Sequence, residues 1–146
     1  MTPTQRAAIV AEAESWLKTP YHSNAAVKGA GADCGLFPLD VYTRVLGFAA
    51  PPLPKYVQQW NLHRNDETYL EYARAFPGIL EISEAEVQPG DFVLWRIGRV
   101  YSHGAIVTAW PKIIHAFNPR GVIRDNAFLE PLLNRSDITR PLFFTF

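Results

Sequence analysis

The chain has 146 residues with 14 basic and 14 acidic side chains, a length that fits one domain with one core and a balance that excludes recruitment of nucleic acid or an anionic membrane by a global field. Aromatic residues make up 13%, with four tryptophans, which excludes a disordered chain and points to a well-packed core. A single cysteine excludes an internal disulfide, and no apolar run approaches the ~20 residues needed to span a bilayer, so no membrane insertion is expected.

Thr2-Pro3-Thr4-Gln5 has capping-box spacing with proline at the first helical position, and Ile9, Ala13, Trp16 and Leu17 then share one face until Thr19-Pro20 stops the helix. The same N-terminal residues carry no apolar signal core, so no Sec address is expected. Tyr21 to Ala32 reads as a loop that ends in the small, flexible stretch Gly29-Ala30-Gly31. Leu36, Leu39, Tyr42, Val45 and Leu46 then recur at helical spacing, with Gly47 as a natural stop. If Asp33 is the N-cap, Pro38 sets its ring and its missing N–H against the carbonyl of Cys34, which predicts a helix that is distorted or starts late.

Residues 48 to 66, with Pro51-Pro52-Leu53-Pro54 followed by Tyr56, Trp60 and His63, read as a long surface connection. Glu67 to Phe76 reads as a short helix with Tyr69, Leu70, Ala73 and Phe76 inward. After Pro77-Gly78 the period changes to that of strands. The turn Pro89-Gly90-Asp91 feeds Phe92–Trp95, and Arg96 to Arg99 turns the chain into Val100–Thr108. Ile113–Phe117, a short Val122–Arg124, a helical turn or two over Ala127–Leu133 and a closing strand Leu142–Phe146 follow. Helices first and an antiparallel sheet after them make one α+β domain over residues 1–146.

Cys34 stands where a loop becomes a helix, among unsatisfied backbone N–H groups and the positive end of the helix dipole, an address that favours the thiolate. A nucleophilic thiol also needs a base and a group to orient that base. The histidines available are His22, His63, His103 and His115. His103 and His115 lie on consecutive strands. A three-residue connection Ala109–Pro111 pairs Thr108 with Lys112 and gives facing residues an even index sum, which puts both histidines on one face as diagonal neighbours roughly 7–8 Å apart at the backbone. The competing readings are a small buried hydrophobe for Cys34, backbone-bonded strand residues for the histidines, and a zinc site using Cys34, His103, His115 and His22. No CxxC or HxxxH pair nucleates such a site, and Cys34 occupies the place of the third glycine in a GxGxxG phosphate loop, so neither metal nor cofactor is expected.

Three blocks, Thr19-Pro20-Tyr21 with the later Asp33-Cys34, Pro89-Gly90-Asp91-Phe92-Val93-Leu94, and Ser102-His103-Gly104-Ala105-Ile106-Val107 with Ile113-Ile114-His115-Ala116, resemble the NlpC family. These are bacterial and phage cell-wall cysteine peptidases, compact papain-like enzymes that cut the peptide stems of peptidoglycan. The resemblance covers Trp16 to about Phe117 and implies a papain-like fold, N-terminal helices packed on a central antiparallel sheet. It implies Cys34 as nucleophile, His103 as the base that activates it and later protonates the leaving amine, and His115 as the group that orients His103. The Cys34 backbone N–H and the Tyr21 hydroxyl would hold the oxyanion, and Asp33 would bind the substrate's free amino group. The implied reaction is amide hydrolysis through an acyl-enzyme thioester, with a peptidoglycan stem peptide as partner and no cofactor. The short domain without a Sec signal is similar to phage tail-associated members, which implies delivery to the cell wall or periplasm in a virion tail, beside other phage tail proteins. Two alternatives stay open: a structural tail or tail-tip component that has lost the activity, and another cysteine amidase or acyltransferase on the same scaffold.

Overall fold

The first helix, α1 (Pro3–Ser15), begins where its capping box places it. Thr2 Oγ1 accepts from the Gln5 N–H at 3.2 Å and Gln5 Oε1 accepts from the Thr2 N–H at 2.8 Å. Ile9, Ala13 and Trp16 are fully or almost fully buried, as the spacing predicts. The computed structural model describes residues 1–54, 62, 65–135 and 140–146. Tyr56, Trp60 and His63 of the expected connection lie outside the described residues.

Within the loop before Cys34, two short strands, β1 (Ala26–Val27) and β2 (Gly31–Ala32), form a small antiparallel hairpin that the composition alone did not signal. Helix α2 (Leu36–Leu46) follows and ends on Gly47 in the left-handed region, φ 73°. Helix α3 (Thr68–Arg74) is shorter than the expected Glu67–Phe76, and Leu70, Ala73 and Phe76 face inward. Trp16 packs edge-on against Phe37 at 5.6 Å between ring centroids, which joins α1 to α2.

Among the described residues the sheet has six antiparallel strands in the order β3 (Leu80–Ile82), β8 (Leu142–Thr145), β4 (Phe92–Ile97), β5 (Val100–Ala109), β6 (Lys112–Phe117) and β7 (Gly121–Asn126). The last strand therefore sits inside the sheet, between β3 and β4. Ile106, Ile114, Leu94 and Phe144 face the helices, while Val93, Trp95, Ala105, Val107 and Ile113 form a second cluster on the other face with Ala127 and Leu133. This is the α+β arrangement expected from the sequence.

Two boundaries differ in ways that matter. β4 runs through Arg96 to Ile97, so only Gly98 and Arg99 make the turn into β5. The next hairpin pairs Ala109 with Lys112 across Trp110 and Pro111, one residue tighter than expected, and a register shift between Val107 and Ala109 absorbs the difference. The even index sum is thereby restored at Val107↔Ile113 and Ile106↔Ile114. The shared face of the histidines survives because a bulge adds back the residue that the turn gives up.

The Pro89-Gly90-Asp91 turn acts as a clamp. Asp91 is fully buried, its Oδ1 accepts from Arg6 Nη1 at 2.6 Å and its Oδ2 from the Gln88 N–H at 2.8 Å. The Tyr42 hydroxyl donates to the Gly90 carbonyl at 2.9 Å. One turn thus fastens α1 and α2 to the start of β4, and a buried carboxylate tolerates that position because both its oxygens are matched. Gly90 has φ 87° and lies against Arg6 Cα, where an added Cβ would approach to 3.1 Å.

Candidate active site

Helix α2 starts at Leu36 with Gly35 in the cap position, later than an Asp33 cap implies, and Pro38 falls in its first turn. The late start is the outcome that Pro38 predicted. Asp33 still supplies the capping oxygens: Oδ1 accepts from the N–H groups of Gly35 at 3.0 Å and Leu36 at 2.8 Å, and Oδ2 accepts from the Asn24 N–H at 2.7 Å. At 4% exposure the carboxylate is a buried hub that pins the loop to the helix start.

The backbone bonds at this helix start are Phe37 N–H to Asp33 O at 3.1 Å and Leu39 N–H to Gly35 O at 3.4 Å. The carbonyl between them belongs to Cys34, and its helical donor would be residue 38, a proline without an N–H. The Tyr69 hydroxyl, arriving from α3, donates to it at 2.9 Å. Gly104 leaves the space for that hydroxyl, since a Cβ there would stand 2.3 Å from Tyr69 Oη. Neither Tyr69 nor Gly104 stands out in sequence as a site residue; the signal for Tyr69 was the donor that Pro38 withholds.

The Cys34 thiol donates to the Ser102 carbonyl at 3.5 Å, and the backbone N–H of Gly104 also faces the sulfur. Ser102 and Gly104 flank His103 on β5, so the helix start and the histidine strand meet at the sulfur. His103 Nε2 and His115 Nδ1 are 2.9 Å apart, with His103 7% exposed and His115 fully buried. Both rings lie on the sheet face away from the helices, in alternation with Ala105, Val107 and Ile113. Trp95 and Phe117 wall them in, at 6.2 and 5.6 Å from the His103 ring.

Burial governs the charges. It holds His103 well below the ordinary histidine range, with its neighbour His115 acting in the same direction. It also lowers His115, to about 3, with a further push from the Arg120 guanidinium. Cys34 goes the other way, pushed up to about 12 by burial and then by the Asp33 carboxylate, against the pull of the Gly104 N–H and its own N–H. Burial and the Asp33 carboxylate thus favour the neutral thiol over the thiolate expected from the helix start. Loss of water and the adjacent carboxylate outweigh two backbone donors and a short helix dipole.

Tyr21 is held beside this centre by backbone bonds, Ala32 N–H to Pro20 O and His22 N–H to Ala32 O, each 3.0 Å. Its phenol is raised to about 12 by burial, then by its neighbours Cys34 and Asp33, so it stays a hydrogen-bond donor. The loop that carries it is strapped to β7 by Val122 N–H to Thr19 O at 2.8 Å and Lys18 N–H to Val122 O at 3.0 Å. His22 is exposed, with Nδ1 3.0 Å from the Ser23 carbonyl. Among the described residues no group of three His, Cys, Asp or Glu side chains is arranged to hold a metal ion.

The sequence reading also missed Asp125. Its Oδ2 lies 3.4 Å from His115 Nε2. The strand expected over Val122–Arg124 is longer in the structure: β7 continues to Asn126 and pairs His115 with Ile123 and Ile113 with Asp125. One more strand residue places a carboxylate diagonal to His115 on the same face.

No protein-family model matches the chain, and no curated protein matches it by sequence. Solved structures do match by fold. The NlpC/p60 domain of the peptidoglycan hydrolase SagA superposes with a TM-score of 0.62 at 23% identity, over 97% of both chains. An NlpC/P60 family protein from Bacillus cereus gives 0.63 at 18% identity, over 88% of this chain and 37% of that one. NlpC1 from Trichomonas vaginalis gives 0.58 at 15% identity, over 84% of this chain and 39% of that one. The fold is that of NlpC/p60 domains, as the sequence resemblance implied.

Proposed function

We propose that this protein is a cysteine peptidase or amidase that hydrolyses peptidoglycan stem peptides, with Cys34, His103 and His115 as its catalytic side chains. The observation that carries the reading is the buried 2.9 Å contact between His103 Nε2 and His115 Nδ1, together with a thiol bonded to the carbonyl of Ser102, the residue that precedes His103. An NlpC/p60 fold shared with a peptidoglycan hydrolase domain supports the substrate class.

In this reading His103 carries its proton on Nε2, donates it to His115 Nδ1 and keeps Nδ1 as the base. Because thiol and imidazole are both neutral at rest, the Cys34 proton passes to His103 Nδ1 as Sγ bonds to the substrate carbonyl carbon. The carbonyl oxygen becomes an oxyanion, which the Cys34 backbone N–H and the Tyr21 hydroxyl stabilise. Collapse breaks the C–N bond, and the proton on His103 goes to the leaving amine. Water then attacks the thioester with His103 again as base, releasing the acid and restoring the thiol. Asp33 adds negative charge at the helix start, which favours a substrate that presents a free amino group.

Purified protein incubated with murein sacculi should release soluble peptide fragments, and Cys34→Ala should abolish release while keeping the wild-type circular dichroism spectrum. Release that persists in Cys34→Ala would remove the thiol mechanism. A folded wild-type protein that releases nothing would instead favour the structural tail component. Delivery in a phage tail is carried by the sequence resemblance, and co-sedimentation with virions induced from the encoding strain tests it.

A further inference from the structure

His115 Nε2 and Asp125 Oδ2 are both buried, have no hydrogen-bond partner, and face each other at 3.4 Å. Two unmatched buried polar atoms at that distance are costly unless a proton lies between them. A carboxylate oxygen only accepts, so that proton must belong to the imidazole. We infer that Asp125 is a positioning residue that holds His115 as the Nε2–H tautomer and thereby sets the tautomer of His103. The inference rests on the cysteine hydrolase reading for its consequence, though not for its geometry.

The 2.9 Å contact transmits the choice. With its proton on Nε2, His115 presents a bare Nδ1, which accepts from His103 Nε2–H and leaves His103 Nδ1 free to take a proton from the thiol. With its proton on Nδ1, His115 becomes a donor toward His103 Nε2, the His103 proton moves to Nδ1, and no base remains for Cys34. The two rings are thus locked into one of two chains, of which one is productive.

Other contacts of Asp125 make the choice sharp. Its Oδ1 accepts from the Asn126 N–H at 2.8 Å, so only Oδ2 is left for His115. Arg120 Nη2 also approaches Oδ2 at 3.4 Å but makes a closer ion pair of 2.6 Å with Glu130 Oε2, and its guanidinium lies over the Phe117 ring. Asp125→Asn is therefore a near-isosteric probe with an inverted outcome. The amide oxygen stays on the Asn126 N–H, and the amide NH2 group turns a donor toward His115 Nε2.

The test is proton–nitrogen correlation of the histidine rings in the full chain at neutral pH, with and without Asp125→Asn, alongside turnover of soluble muropeptides. Wild type should show protons on Nε2 of both His103 and His115. Asp125→Asn should move both to Nδ1 and lower kcat by about tenfold or more with KM little changed, as wrong-tautomer variants do in other triads. A wild-type His115 protonated on Nδ1, or Asp125→Asn spectra and kcat like wild type, would overturn the inference. If the variant does not fold, the wild-type spectrum alone decides. The spectra need no substrate, so wild type with the Nε2 tautomers and no turnover would remove the hydrolase reading and leave the tautomer assignment standing.

Discussion

The Tyr69 hydroxyl donates to the carbonyl of Cys34 at 2.9 Å, taking the place of the N–H that Pro38 does not have. A proline in the first turn usually costs a helix nothing, because those N–H groups have no intrahelical partner. Here the carbonyl left over belongs to the cysteine, and a side chain from another helix satisfies it. The position of the thiol is consequently tied to the packing of α3.

Removing that donor should therefore show in both stability and turnover. Tyr69→Phe is expected to cost about 1–2 kcal/mol in urea unfolding, the range for a carbonyl left without its bond, and to lower kcat on muropeptides. Pro38→Ala restores a backbone donor, so Tyr69→Phe should cost less in that background. Equal costs in the two backgrounds would mean that tyrosine and proline are not coupled through the Cys34 carbonyl.

Gly104→Ala should be destabilising by about 1–3 kcal/mol, since the new Cβ would stand 2.3 Å from Tyr69 Oη and 2.8 Å from two Phe92 ring atoms. Combining it with Tyr69→Phe removes the closest of these contacts. A double variant no more stable than the sum of the single losses would place the clash on Phe92 alone.

Acid should unfold the protein through its buried imidazoles. The folded-state value of His115 is about 3 against an ordinary 6.5, and that of His103 is also lowered. Between those values the unfolded chain binds more protons, so the stability they confer is complete above pH 6.5 and is lost as pH falls toward 3. His115→Asn should flatten the dependence of unfolding free energy on pH over that window. An unchanged slope would show that the carboxylates, not the histidines, set the acid limit.

Alkylation by iodoacetamide reads the state of Cys34 directly. A thiol raised to about 12 is almost wholly protonated at neutral pH, so the rate should be low and climb by roughly tenfold per pH unit toward alkaline pH. Asp33→Asn removes the carboxylate that helps raise it and should speed alkylation at a given pH, while weakening the cap by about 1 kcal/mol. A rate that is already level at neutral pH would mean a preformed thiolate–imidazolium pair.

Much of this protein is set by local rules that can be read along the chain. The capping box opens α1, Gly47 closes α2, and Pro38 delays the start of α2, because each acts within a turn or two of its own position. The shared face of His103 and His115 also follows from alternation, and it tolerated a wrong turn because a bulge restored the parity. The strand order, with β8 between β3 and β4, does not follow from any local rule, since it joins residues far apart in the chain. Nor does the charge on Cys34: its address at a helix start is local, but burial and the adjacent Asp33 carboxylate reverse the expected direction. Tyr69 and Asp125 reach the site from α3 and β7, and only tertiary packing brings their oxygens to the Cys34 carbonyl and to His115 Nε2. Backbone geometry and alternation act over a few residues, whereas desolvation and hydrogen-bond matching are properties of the assembled interior.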